Sequence, residues 1–140
     1  MNPVSVSFLE VRPLPTQLKK YMIKAKKHKT IAVDFDGVLH TFDSFGDGSI
    51  SGEPIKDGKD VLRKLVDQGY RIVIFTTRLN PVWEDVEQQM KEIIDWLGKN
   101  GFEVNVHYHE ITNNKPEAVA YIDDRAIRFT HWVDMKRYFI

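Results

Sequence analysis

Thr30-Ile31-Ala32-Val33-Asp34-Phe35-Asp36-Gly37-Val38-Leu39 is the stretch on which the reading of this chain turns. An apolar run stops at two aspartates one residue apart, and a glycine follows. Side chains on an extended segment alternate, so Asp34 and Asp36 project to the same side. Two carboxylates aimed at one spot repel unless a cation lies between them or one keeps its proton. Both remedies are chemically useful, and the pair therefore suggests a catalytic metal site.

Working outward, Thr30 to Phe35 reads as a buried strand, too apolar to face solvent. Tyr70 to Thr76 reads as a second, Phe102 to Val106 as a third and Ala118 to Ile122 as a fourth. Between them fall helical patterns. Asp57 is placed to cap a helix with Val61, Leu62, Leu65 and Val66 on one face, closed by Gly69. Asn80-Pro81 is placed to open another, with the stripe Trp83, Val86, Met90, Ile93 and Leu97, closed by Gly98 or Gly101. Lys115-Pro116-Glu117 opens a helical turn, and Thr130 to Tyr138 forms a last short helix. Leu39 to Pro54 is a loop or small hairpin rich in Gly, Ser and Asp, with Phe42 and Phe45 in it.

Strands alternating with helices predict an α/β fold with a central, mostly parallel sheet and helices on both faces. The catalytic domain is expected over residues 30–140. Residues 1–29 form a basic extension with a strand at Val4 to Val11 and a helix from Thr16 to about Lys27. In that segment Arg12, Lys19, Lys20, Lys24, Lys26, Lys27 and Lys29 stand against Glu10 alone, within a chain of zero formal net charge. This basic face is a weak nucleic-acid signal, since no aromatics interleave the lysines, and a solvated helix face explains it as well.

The chain has 140 residues and no cysteine, which excludes disulfides, thiolate zinc sites and cysteine nucleophiles and fits a reducing compartment. No apolar run reaches membrane-spanning length and no secretion signal opens the chain, so no membrane partner and a cytoplasmic location are expected. A Walker loop fails at Glu53 and Asp60, and an EF-hand from Asp43 fails at Phe45 and Pro54. His107, His109 and Glu110 have metal-ligand spacing but read better as polar residues at a strand end.

In parallel α/β sheets ligands bind beyond the carboxyl ends of the strands. The first strand delivers Asp34 and Asp36, the second Thr76-Thr77-Arg78, and the fourth Asp123-Asp124-Arg125, with Lys115 just upstream. Carboxylate oxygens suit Mg²⁺, and lysine and threonine suit phosphate oxygens. The sum is a site for phosphoryl transfer.

From Ile31 to about Arg125 the chain resembles the haloacid dehalogenase (HAD) superfamily of phosphohydrolases. Asp34-Phe35-Asp36-Gly37-Val38 is similar to its first motif, Phe75-Thr76 to its second, Lys115 to its third and Tyr121-Ile122-Asp123-Asp124 to its fourth. The resemblance implies a HAD-like Rossmannoid fold and a Mg²⁺-dependent phosphomonoesterase working through an aspartyl-phosphate. Asp34 would be the nucleophile and Asp36, with a raised pKa, the general acid and base. Thr76, or its neighbour Thr77, and Lys115 would hold the phosphoryl oxygens. Mg²⁺ would sit between the Asp34 carboxylate, the Asp36 carbonyl and Asp124, with Asp123 assisting. Arg78 would grip a leaving group or second phosphate. The spacings leave no room for a separate cap domain, so an open site is expected, with residues 40–54 as a partial lid, for phosphorylated substrates small or large. Two alternatives stand beside this reading. One is a nucleic-acid end-processing phosphatase or phosphotransferase using the basic N-terminus; the other is a non-catalytic HAD-like binding domain.

Overall fold

The structure is a computed structural model, and it describes residues 15–17 and 30–140. The expected strand at 4–11 and all but the first two residues of the helix at 16–27 lie outside the described residues, as does most of the basic extension. The elements in chain order are β1 (Thr30–Val33), α1 (Gly58–Asp67), β2 (Arg71–Phe75), a 3₁₀ turn (Thr77–Leu79), α2 (Val86–Lys99), β3 (Glu110–Thr112), β4 (Ala120–Ile122) and α3 (Trp132–Phe139).

All four strands are parallel, in the order β3-β2-β1-β4. Ile31 pairs with Ile72 and with Ala120, and Val73 pairs with Glu110. The two central strands are the two continuous apolar runs of the sequence. Their alternate residues point to opposite faces, and Ile31, Ala32, Val33, Ile72, Val73 and Ile74 are all buried, so both faces are covered. Ile31, Val33, Ile72 and Ile74 belong to one core with Leu62 of α1 and Ile93, Trp96 and Leu97 of α2. The crossovers from β1 to β2 and from β2 to β3 step in the same direction along the sheet, and both helices pack on that one face. Among the described residues no helix is long and apolar enough to cross a membrane.

Three expected elements are corrected. Residues 102–106 are not a strand: Phe102 is core, but Asn105 has a left-handed φ of 66° and the chain turns back, with both Val106 and His107 donating to the Glu103 carbonyl. The third strand is the shorter Glu110–Thr112. The Asn80-Pro81 signal belongs to a turn in which the Asn80 side chain accepts the Val82 N–H. Helix α2 starts six residues later, capped by Asp85, whose carboxylate accepts the Gln88 N–H. Lys115 to Glu117 are not helical. Asp57 does occupy the cap position of α1, but in a left-handed conformation and without a side-chain cap bond.

The order of strands reverses between β1 and β4. The connection after β1 runs to β2 on one side, whereas β4 lies on the other. That reversal opens a crevice at the carboxyl ends of β1 and β4, the position at which parallel α/β sheets take ligands.

Candidate functional site

The ladder carries straight into the crevice, since the Asp34 N–H donates to the Ile122 carbonyl at 2.9 Å. This bond brings the residue after β1 beside the residues after β4. Asp34, Asp123 and Asp124 each offer a carboxylate oxygen, and these oxygens all lie within 4.8 Å of one another. Gly37 permits the approach. It adopts a φ of 78°, and a Cβ there would stand 2.3 Å from Asp124 Oδ2. Asp123 is oriented by accepting the Arg125 N–H at 2.7 Å.

The cluster leaves Asp34 short of compensation. Burial, against the Phe35 N–H that favours the charged form, together with the charges of Asp123, Asp124 and Asp36, pushes its carboxyl up to about 7. Hard oxygen donors, an anionic excess and a glycine that makes room for one of them fit a divalent cation of the Mg²⁺ type.

Asp36 turns elsewhere, and the expectation of a raised pKa is corrected. Arg78 Nε donates to both of its oxygens, at 2.8 and 2.9 Å, and His40 Nε2 donates at 2.7 Å. Burial pushes the Asp36 carboxyl up, but these two donors outweigh it and hold the group below the usual carboxylate range. Its side chain takes no part in the three-aspartate cluster.

Arg78 has partners within the protein. It is 2 % exposed, and Nη1 donates to the Gly48 carbonyl and to Gln89 Oε1. Its guanidinium lies over the rings of Phe45 and Phe42, 5.0 and 5.8 Å from their centroids. Nε and Nη1 thus fasten Asp36, the 40–54 loop and α2 together, and the side chain also borders the cavity over the carboxylates.

A cavity of about 410 Å³ stands over this region, bordered by Asp34, Asp36, Thr77, Arg78, Asp123 and Asp124. The preference for Thr76 over Thr77 is reversed by it. The strand ends at Phe75 and the chain turns inward, so Thr76 is 1 % exposed and its hydroxyl accepts the Arg78 N–H as the cap of the 3₁₀ turn. Thr77 is the residue presented to the cavity. Lys115 borders an adjoining cavity of about 310 Å³ that shares Asp34, Phe75 and Asp123 with the first, and its ammonium lies 4.8 Å from the Tyr121 ring centroid. Of the expected residues, Asp34, Asp123 and Asp124 come together, with Thr77 bordering the first cavity and Lys115 the second; the Thr76 hydroxyl and the Asp36 carboxylate are turned to other partners.

The structure adds His40, Gln89 and Trp83, which carried no site signal in the sequence. His40 is 1 % exposed. Trp83 leaves its expected helix stripe and stacks on Phe45, with centroids 5.3 Å apart and planes inclined by 17°. His107, His109 and Glu110 do not form a metal site. His107 Nδ1 accepts the Glu103 N–H, His109 Nδ1 accepts the Ile72 N–H, and Glu110 pairs with Arg71.

An α/β domain with a parallel sheet and an acidic crevice at its topological switch is the class these features define. A solved structure of a conserved protein from Bacteroides thetaiotaomicron shares the fold, with a TM-score of 0.52 and 24 % sequence identity over 76 % of this chain and 84 % of that one. No family model matches the chain, and no curated protein matches it at a significant level.

Proposed function

We propose that this protein is a Mg²⁺-dependent phosphomonoester hydrolase of the HAD type. The observation that carries the reading is the convergence of Asp34, Asp123 and Asp124 at the carboxyl ends of β1 and β4, with Lys115 bordering the cavity beside them. Asp34, Asp123 and Asp124 would hold the cation; bound Mg²⁺ supplies charge neutralisation at the phosphoryl oxygens and keeps Asp34 ionised at neutral pH.

In this reading Asp34 is the nucleophile. Its carboxylate oxygen bonds to phosphorus as the ester P–O bond breaks, and the leaving oxygen takes a proton from Asp36, which binds one from solvent as the substrate arrives. Water then attacks the phosphorus of the aspartyl-phosphate, loses its proton to Asp36, and releases phosphate and the Asp34 carboxylate. Thr77 and Lys115 hold the phosphoryl oxygens against the acidic wall. Asp36 rests as a carboxylate between Arg78 and His40, ready to act as base in the second half. A dianionic phosphoryl group arriving beside it opposes the effect of Arg78 and raises its affinity for a proton, which equips it to serve the leaving oxygen in the first half.

The test is hydrolysis of para-nitrophenyl phosphate with Mg²⁺ and with chelator. Activity should require the cation and fall by at least about a thousandfold in Asp34→Asn, since removing a nucleophile abolishes the covalent route. Undiminished turnover in chelator, or in Asp34→Asn, removes the reading.

A further inference from the structure

The cavity over the carboxylates has a second wall that the proposed phosphoryl chemistry does not use. Phe42, Phe45, Phe75 and Trp83 line it, and they face the same space as Asp34 and Thr77. Phe45 has a structural task, since it lies between the Arg78 guanidinium at 5.0 Å and the Trp83 ring at 5.3 Å. Trp83 stands at the outer end of this stack and is 46 % exposed. Unlike Trp132, which is more exposed but borders neither cavity, this indole borders the space over the aspartates.

Trp83 is nonetheless fixed. One face rests on Phe45, and Nε1 donates to the Thr77 carbonyl at 3.0 Å. Thr77 is the residue that β2 presents to the candidate phosphoryl site, so this hydrogen bond ties the indole to that site. A rigid, half-exposed aromatic face needs no ordering on binding and stacks on a planar ring at low entropic cost.

Resting on the phosphomonoesterase reading, we propose that the substrate's leaving group carries a planar unsaturated ring, as in a nucleoside monophosphate or an aryl phosphate, and that Trp83 is the face on which that ring stacks. The aromatic wall then acts on substrate choice, while the aspartates act on phosphorus.

The test compares kcat/KM for adenosine monophosphate and phenyl phosphate with that for ribose 5-phosphate and glycerol phosphate, all with Mg²⁺. The wild-type protein should prefer at least one ring-bearing ester by about tenfold or more, mainly through KM, in line with the worth of one stacked ring. Trp83→Ala should bring the ratio close to one, and Trp83→Phe, which keeps a ring, should retain most of it. The ester that loses more in Trp83→Ala identifies the ring source, nucleobase or simple aryl group. Titration with adenosine monophosphate and phenyl phosphate should also quench tryptophan emission in the wild type and not in Trp83→Phe, where Trp96 and Trp132 remain.

A wild-type ratio near one, or a ratio untouched in Trp83→Ala, overturns the stacking proposal while leaving the phosphatase standing. If no ester is hydrolysed, the phosphatase reading falls and the titration decides separately. Quenching confined to proteins with Trp83 then upholds ring binding, and its absence with both ligands overturns it.

Discussion

Arg78 is the residue whose loss should be felt most widely. Its Nε holds both oxygens of Asp36, and its Nη1 holds the Gly48 carbonyl and Gln89 Oε1, all from a position 2 % exposed. In Arg78→Ala the Asp36 carboxylate keeps only His40, and two further polar groups lose their donor. Removing one partner of a buried pair costs about 3–5 kcal/mol, most of it from the charge left behind. For a chain of this size roughly 3–4 °C of melting temperature accompanies each kcal/mol, so a fall of about 10–20 °C is expected. Arg78→Lys should lose about half as much, because one ammonium cannot span the paired oxygens of Asp36 and the Gly48–Gln89 side together. A double-mutant cycle in chemical denaturation separates charge pairing from simple loss of packing. Asp36→Asn should destabilise the wild type, where it strands a buried guanidinium. It should be neutral or stabilising in Arg78→Ala, where it removes a stranded carboxylate. A coupling of at least about 2 kcal/mol is expected, and a value below about 0.5 kcal/mol would refute the claim that Arg78 and Asp36 form one compensated unit.

Asp34 sets a pH dependence of the opposite kind to most carboxylates. Its folded pKa of about 7 lies above the unfolded value of roughly 3.9, so in chelator the folded state binds the extra proton and stability should fall as pH rises between about 4 and 7, then level off. Asp34→Asn should flatten that slope, and a slope the same in both proteins counts against the assignment. Mg²⁺ at a hundredfold excess over its Kd should add about 2.7 kcal/mol of stability at pH 7.5 and less at the same concentration at pH 5, and Asp124→Asn should remove most of the melting-temperature shift seen by differential scanning fluorimetry. In Gly37→Ala the new Cβ meets Asp124 Oδ2 at 2.3 Å from a backbone at φ 78°; a loss of about 1–3 kcal/mol together with weakened Mg²⁺ binding by calorimetry is expected. In Gly52→Ala the Cβ would stand 2.0 Å from the Thr41 carbonyl oxygen and 2.3 Å from His40 Nδ1; that backbone oxygen cannot swing aside, so about 2 kcal/mol or more should be lost in urea unfolding.

What was legible in the sequence, and what was not, follows from the range over which each feature is determined. β1 and β2 are buried on both faces, so their apolar runs are continuous and stand out. β3 is an edge strand of three half-buried and exposed residues, Glu110 to Thr112, and has no such run. The alternation Phe102-Val104-Val106 imitates a strand, but Asn105 in the left-handed region turns the chain, and Val104 is left exposed. Asn80-Pro81 imitates a helix start because an asparagine followed by proline also opens an Asx turn, the form it takes here. At the site, Asp34, Asp123 and Asp124 were legible because the residue after a parallel strand must emerge at the crevice; the same rule favoured Thr76, which instead caps the 3₁₀ turn and leaves Thr77 at the cavity. The partnership of Asp36 with Arg78 joins residues far apart in the chain, and nothing local to either marks it. The same holds for Trp83, whose place on Phe45 depends on how the 40–54 loop folds back over the sheet.

The pairing of Arg78 with Asp36 also changes what the Asp-x-Asp pair means. Two carboxylates at one strand end need compensation, and a single cation between them was one solution. The fold divides the burden instead. Asp36 is compensated by the protein's own Arg78 and His40, whereas Asp34 is placed among two further carboxylates that deepen its deficit. Only the second cluster has a charge left to be met from outside, and in the proposed reaction a divalent cation and Lys115 together balance its three carboxylates. A phosphoryl dianion can then approach Asp34 without facing a net negative wall. Asp36, by contrast, is tied through Arg78 to Gly48 and Gln89, so any movement of the 40–54 loop changes the surroundings of the proposed acid–base group. Substrate that settles against the aromatic side of that loop would therefore bear on proton transfer as well as on binding, through one buried guanidinium.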